Sequence, residues 1–341
     1  MAKTTVWVLV GSESLLGREL RDVVATGGLP VDLKLIAAGA ESAGALTEQG
    51  GEPALILGLE ERALRDASVL LLAGSPESSR QAIEMRGTET GKDAPVIIDL
   101  THAAEDHPRS LLRAPSVEPP GFRAPDDALH SIAHPAAIAI AMVLPRLHAR
   151  APIQRSVIQI FEPASERGTS GVEELQQQTA SLLSFKSMPK KIFDAQLSFN
   201  MLARYGEDAP LSLETIELRI ERHVATLLSR APQGDAAFVP MPSLRLIQAP
   251  VFHGYSLSLW IEFADNPGVE ALEAALAHPQ IDVRTSDLDP PTSVGMAGES
   301  GIALGAVAMD RNVPQACWLW LAADNLRLAA ENAVAVASQF L

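Results

Sequence analysis

Thr5-Val6-Trp7-Val8-Leu9-Val10-Gly11-Ser12-Glu13-Ser14-Leu15-Leu16-Gly17 carries an apolar run into a glycine turn and on into a helical stretch. Five of the first six residues are Val, Leu or Trp, which suits a strand buried on both faces of a sheet. Asp32–Ala38, Ala54–Leu57, Ser68–Ala73 and Pro95–Leu100 repeat the pattern, while Leu16–Ala25 and Ser75–Arg86 mix polar and apolar residues as crossover helices do. This alternation predicts a parallel α/β sheet over the first third of the chain. Gly11 and Gly17 permit a tight turn and close helix packing, and the helix N-terminus is a natural seat for a pyrophosphate. The turn is open to two readings, however. Ser14 stands where a glycine would let phosphate approach the backbone, and Glu13 brings a negative charge near any anion. It reads either as a nucleotide turn or as a β-α turn that binds nucleotide poorly.

Further on, Pro108, Pro115, Pro119, Pro120 and Pro125 predict a long surface connection over Ala103–Pro125. A short strand at Ser131–Ala133 then leads through His134-Pro135 into a helix to about Arg150, with proline suited to the first turn. The second half differs in character. Ile153–Phe161, Leu244–Ala249 and Tyr255–Ala264 read as strands. In the last, Leu257, Leu259, Ile261 and Phe263 alternate with Ser256, Ser258, Trp260 and Glu262, the mark of an antiparallel sheet covered on one face. Gly171–Ser184 and Leu213–Leu228 read as amphipathic helices, Gly301–Met309 and Cys317–Ala322 as strands, and Asn325–Leu341 as a closing helix.

The 341 residues fit two domains. With 27 Lys+Arg against 42 Asp+Glu, the net charge of −15 and the lack of any basic cluster argue against a nucleic-acid partner. A single cysteine excludes an internal disulfide and a Cys-built zinc site and suits a reducing, cytoplasmic setting. Residues 1–10 lack the features of a signal peptide. The longest apolar run, Ala136–Leu144, is far short of the roughly 20 residues of a membrane helix, so no membrane association is expected.

Four stretches together resemble the aspartate-semialdehyde dehydrogenase family, and within it the divergent Usg-type paralogues. They are Gly11–Gly17; Gly171-x-x-Glu174-Leu175-x-x-Gln178 with Gln196-Leu-Ser-Phe-Asn200; Ala249-Pro-Val-Phe-His-Gly-Tyr-Ser256; and Val313-Pro314 leading to Ala323-Asp324-Asn325-Leu326-Arg327. The resemblance implies a Rossmann-type nucleotide-binding domain of residues 1–133 plus 323–341, with an inserted α/β domain, 134–322, that dimerises and carries the catalytic positions. It implies NAD or NADP as cofactor, contacted by Gly11, Ser12, Ser14, Leu15, Gly17, Ala73, Gly74 and Asn325, and a homodimer. Binding is expected to be weak or absent, because the pair matching the 2′-phosphate partners reads Glu41-Ser42 and Glu13 adds further negative charge.

The family reaction needs a cysteine thiolate, an acid/base histidine and cations for an anionic substrate. The segment matching the nucleophile is His134-Pro135-Ala136-Ala137-Ile138, so the cysteine becomes Ala137; the histidine becomes Tyr255, the substrate-clamping arginine Gln248 and the active-site glutamine Glu162. A further arginine and a lysine fall at Glu105 and Glu217. Basic groups are thus lost or reversed throughout. Cys317 lies in a hydrophobic run and reads as a small inert core residue.

The resemblance also brings His134, Glu162, His253 and Tyr255 near one another, where they could form a rebuilt acid–base or metal site, whereas His134 alone reads as a helix cap. His102-Ala-Ala-Glu105-Asp106-His107 reads as a solvated loop, and Ser170, in Gly168-Thr169-Ser170-Gly171, as part of a loop into a helix starting near Val172. No metal is expected. The expected protein is a catalytically degenerate family member acting by binding or assembly. The alternatives are an active NAD(P)-dependent oxidoreductase on an aldehyde or acyl phosphate, in amino-acid biosynthesis, and a repurposed enzyme using His134 and Glu162.

Overall fold

The structure is a computed structural model and describes residues 5–86, 94–125, 127–230 and 238–341. Residues 1–4, at the head of the segment read above for export signals, lie outside the described residues. The chain divides into two compact units, one of residues 1–115, 120–133 and 329–341, the other of 116–119 and 134–328.

The first unit contains β1 (Thr5–Val10), α1 (Leu15–Thr26), β2 (Val31–Ile36), β3 (Leu46–Gln49), β4 (Glu52–Leu55), α2 (Glu61–Leu64), β5 (Val69–Leu72), α3 (Pro76–Arg86), β6 (Val96–Asp99), β7 (Ser110–Arg113) and β8 (Leu129–Ile132). Six strands form one parallel sheet in the order β2-β1-β5-β6-β8-β7. The unbroken apolar runs follow from this arrangement. Trp7, Leu9, Leu35 and Leu71 pack with Leu20 and Val24 of α1 and with Ala330, Ala333 and Val334 near the C-terminus, while Val8, Val10, Ile36 and Leu70 pack with Leu64 and Ala82 of α2 and α3. Alternate strand residues therefore enter two different cores, and both sets must be apolar.

Two readings of this region need correction. Ala54–Leu57 is not a strand of the parallel sheet. Its first residues belong to β4, which pairs antiparallel with β3 in a separate hairpin whose Leu46 and Leu55 are exposed. Gly50 and Gly51, both at positive φ, form the two-residue connection, and such a glycine pair selects a tight hairpin. Only Leu57 bridges to Ile36 of β2. Ala103–Pro125 is also not wholly a surface connection, because it contains β7, an edge strand ending at the buried Arg113. Arg113 Nη1 contacts His130 Nδ1 at 2.9 Å and Nη2 donates to Gln339 Oε1 at 2.9 Å. The prolines flank this strand and do not interrupt its ladder, as edge strands permit.

The second unit holds α4 (Pro135–Arg150), β9 (Ile153–Glu162), α5 (Gly168–Leu183), α6 (Leu213–Arg230), β10 (Ser243–Gln248), β11 (Tyr255–Phe263), α7 (Val269–Leu276), β12 (Ile281–Arg284), β13 (Ile302–Met309), β14 (Ala316–Ala323) and the start of α8 (Asn325–Ala337). Its mixed sheet runs β10-β9-β11-β14-β13-β12. β11 pairs antiparallel with both neighbours, whereas β10–β9 and β12–β13 are parallel. Leu257, Leu259, Ile261 and Phe263 are buried and their polar alternates are half-exposed, the period-2 pattern of a sheet covered on one side.

The run Ala136–Leu144 is entirely buried in α4, which packs against α6 and α7. Among the described residues no helix is long and apolar enough to cross a membrane. α5 starts at Gly168, not near Val172, so Ser170 lies exposed in its first turn; Gly168, at φ +63°, supplies the reversal into the helix. The closing helix ends at Ala337 and tightens to a 3-10 turn over Ser338–Phe340.

Candidate functional site

The glycine turn of the first unit is close-packed. Gly11 sits at φ +82°, and a Cβ there would lie 2.2 Å from Gly74 Cα; one on Gly17 would lie 2.0 Å from Gly11 O. Ser14 caps α1, its Oγ accepting from Gly17 N at 2.8 Å and donating to the Ala73 carbonyl at 2.7 Å. The first-turn amides of Leu15 and Leu16 stay open, the arrangement that suits an anion. Gly11 N and Ser12 N both bond Ile36 O, at 2.9 and 3.1 Å, which joins the turn to the end of β2. Glu13 does not lie where its place in sequence suggested: Ala38 N, just past β2, donates to its Oε1 at 2.8 Å, so the carboxylate is tied to β2 and bonds none of the turn amides. Glu41 and Ser42 occupy a short 3-10 turn just beyond, and Glu41 is exposed.

In the second unit, the positions singled out by the resemblance gather at the start of α4, the ends of β9 and β10 and the start of β11. Ala137, in the first turn of α4, is fully buried. His134 caps that helix, with Ala136 N donating to its Nδ1 at 3.4 Å, and its own amide donates to His223 Nδ1 at 2.9 Å. Its Nε2 lies 3.7 Å from Glu166 Oε2, and its ring centroid 5.9 Å from that of Tyr255. Glu162, the last residue of β9, is wholly buried and accepts from Arg167 Nη2 at 2.7 Å. Gln248 is committed on both sides of its amide, accepting from the Tyr205 hydroxyl at 2.5 Å and donating to the Glu162 carbonyl at 2.8 Å. Asn325, which the resemblance places among the nucleotide contacts, donates to Glu166 Oε1 at 2.9 Å and accepts from Gly254 N and the Ser165 hydroxyl.

Three expectations change here. A cation is present, because Arg167 pairs with Glu162 at 2.7 Å, so the site is not stripped of positive charge. His253 takes no part in these contacts; it is half-buried just before Gly254, whose φ of +80° turns the chain into β11 and sends Tyr255 inward. Glu166, Arg167 and Tyr205 join the site instead. The only sequence signal for them is the acid–arginine cluster Glu162-x-x-x-Glu166-Arg167 at a strand end.

Burial governs the electrostatics. It raises the Glu162 carboxyl to about 7, helped by Glu166 and opposed by Arg167. Glu166 is raised for the same first reason. Burial disfavours the Arg167 cation, but Glu162 outweighs it and the guanidinium titrates above its ordinary value. The Tyr255 phenol is pushed well above its ordinary value by burial and then by Glu166. Glu162 Oε2 and Arg167 Nε are buried without a hydrogen-bond partner, whereas the Tyr255 hydroxyl faces the Glu166 carboxylate.

The other expected residues have structural settings. Glu217 on α6 accepts from Leu246 N of the edge strand β10 at 2.6 Å. Glu105 is half-buried in the first unit. Cys317 is buried opposite Ile261, and burial raises its thiol to about 12. His107 Nδ1 accepts from Arg109 N at 3.1 Å, and among the described residues no three His, Cys, Asp or Glu side chains are grouped to hold a metal ion.

The family described as semialdehyde dehydrogenase, dimerisation domain, matches residues 144–328. An aspartate-semialdehyde dehydrogenase of Rickettsia bellii is 26% identical over 351 residues, covering 100% of this chain and 99% of its own length. A USG-1 protein homolog of Pseudomonas aeruginosa is 28% identical over 337 residues, covering 96% of this chain and 94% of that protein. The solved structure of a probable aspartate-semialdehyde dehydrogenase from Pseudomonas aeruginosa matches with a TM-score of 0.83 at 27% identity, over 99% of this chain and 98% of that one.

Proposed function

The chain belongs to the semialdehyde dehydrogenase family, and we propose that it has given up the family's covalent chemistry and acts by binding or assembly. The observation that carries this reading is Ala137, a fully buried methyl group in the first turn of α4 where a nucleophile is needed. A methyl group forms no thiohemiacetal, and losing a nucleophile from groups that act as a unit costs on the order of 10⁶ in kcat. The chain's one thiol, Cys317, is protonated at neutral pH and sits inside a strand. Tyr255 cannot exchange protons near pH 7 as an imidazole does, and the amide of Gln248 is no guanidinium. By family resemblance the first unit takes NAD or NADP weakly, with NAD favoured, in a cytoplasmic setting.

The test is phosphate-dependent reduction of NAD or NADP with L-aspartate semialdehyde. Wild type and Ala137→Cys alone are expected to be inactive, and Ala137→Cys with Tyr255→His and Gln248→Arg is assayed beside them. Turnover by wild type, abolished by Glu162→Gln or His134→Ala, would instead select an active or rebuilt enzyme. One observation favours that second reading: Glu162 Oε2 and Arg167 Nε are buried without a hydrogen-bond partner, as at a site that holds a further polar group.

Assembly is proposed as a homodimer through the second unit. The exposed side of its sheet carries Val157 and Trp318, each 42% exposed, beside Trp260. The Nε1 groups of both tryptophans donate to Asp310 Oδ2 at 2.9 Å, which fixes the indoles on that face. Aromatic residues of this kind are typical interface anchors. Light scattering is expected to give twice the 36.2 kDa chain mass, and a value of 36.2 kDa over a wide concentration range would rule the dimer out.

A further inference from the structure

The unusual feature of the first unit is where Glu13 goes. Parallel sheets that take dinucleotides commonly place an acid at the end of the second strand, where it accepts hydrogen bonds from the adenosine ribose. Here β2 ends in Leu35-Ile36 and continues as Ala37-Ala38-Gly39, with no acid among them. Glu13 reaches across from the glycine turn and fills that place through the Ala38 N–H···Oε1 bond of 2.8 Å. Its second oxygen, Oε2, is buried and has no hydrogen-bond partner, and the same holds for the hydroxyl of the adjacent, fully buried Ser12. A buried carboxylate oxygen without a donor is a costly arrangement that a bound hydroxyl would relieve. Glu41 adds a second acid, since a Cβ placed on Gly39 would lie 2.5 Å from its Oε1.

The rest of the turn fits a nucleotide. Gly11 makes the close turn, and the open amides of Leu15 and Leu16 sit at the start of a 12-residue helix where a phosphate is favoured. We propose that Glu13 is the ribose-recognising residue of the first unit, its Oε2 accepting from a free 2′-hydroxyl, and that Glu13 with Glu41 excludes a 2′-phosphate. The ligand class is an adenosine nucleotide or dinucleotide with an unmodified ribose. This rests on the reading that the first unit binds nucleotide, and it assigns the specificity within that site to a residue of the turn.

Calorimetry and thermal shift on the full chain, with NAD, NADP, AMP and 2′-deoxy-AMP, test it without any catalytic readout. One hydrogen bond to a charged acceptor corresponds to roughly a tenfold or greater change in affinity. NAD is expected to bind at least about tenfold tighter than NADP, and AMP about tenfold tighter than 2′-deoxy-AMP. Glu13→Gln keeps an acceptor for Ala38 N and is expected to abolish most of both ratios, whereas Glu41→Gln is expected to ease NADP binding alone. A purely structural Glu13 would lower the melting temperature of the variant and leave the ratios unchanged, which overturns the proposal. Equal binding of AMP and 2′-deoxy-AMP by wild type overturns it while leaving nucleotide binding intact. No binding of any of the four overturns the nucleotide reading itself, and the assignment with it.

Discussion

Glu162→Gln is expected to flatten the pH dependence of stability. Glu162 is wholly buried, and burial raises its carboxyl from 4.5 to about 7 in the folded chain. The sign follows from proton uptake: between these two values the folded state holds a proton that the unfolded chain has released. The stability this contributes is fully present below pH 4.5 and is lost as pH rises through about 7. Across that window the loss amounts to about 3 kcal/mol. Glutamine has the same shape and keeps an oxygen for Arg167, but it does not titrate. The substitution has its own pH-independent cost in packing and hydrogen bonding around Arg167, so the informative quantity is the change in the difference between variant and wild type. That difference should shift in favour of the variant by about 3 kcal/mol from pH 4.5 to 8. Glu166 also titrates upward and leaves a residual slope in both proteins. Urea unfolding followed by tryptophan fluorescence reports mainly on the second unit, which holds Trp260, Trp318 and Trp320, while Trp7 lies in the first. Parallel stability profiles for the two proteins across this range would refute the assignment of a raised Glu162.

Further outcomes follow from packing. Gly11→Ala is expected to destabilise the first unit by about 3 kcal/mol, from a positive φ and a contact with backbone that cannot yield; a urea midpoint unchanged from wild type would contradict it. Glu217→Ala should cost about 1–2 kcal/mol, since Leu246 N on the edge strand loses its acceptor, with faster amide exchange at Leu246 as the local readout. Cys317 should resist a thiol reagent at pH 8 until the protein unfolds, because its thiol titrates near 12 and is buried; rapid labelling of the native chain would count against that setting.

Much of the architecture is decided by local periodicity and by proline and glycine. The run Thr5–Val10 is apolar at every position but the first because both sheet faces are covered, and that need is visible without knowing what covers them. The alternation in Tyr255–Phe263 and the His134-Pro135 helix start are likewise properties of adjacent residues. The hairpin at Gly50-Gly51 was also locally encoded, but its apolar residues resemble those of a buried strand, and only burial separates the two cases. The polar site is of another kind. Asn325 meets Glu166 across 159 positions, and Gln248 meets the Glu162 carbonyl across 86. Glu13 looked repulsive beside a phosphate until Ala38, 25 residues away, fixed its carboxylate at the end of β2. Whether an acid repels, pairs with a cation, or holds a proton depends on its burial and on the charges a few ångströms away. Those neighbours come from distant parts of the chain, so tertiary structure alone decides the chemistry of such a residue.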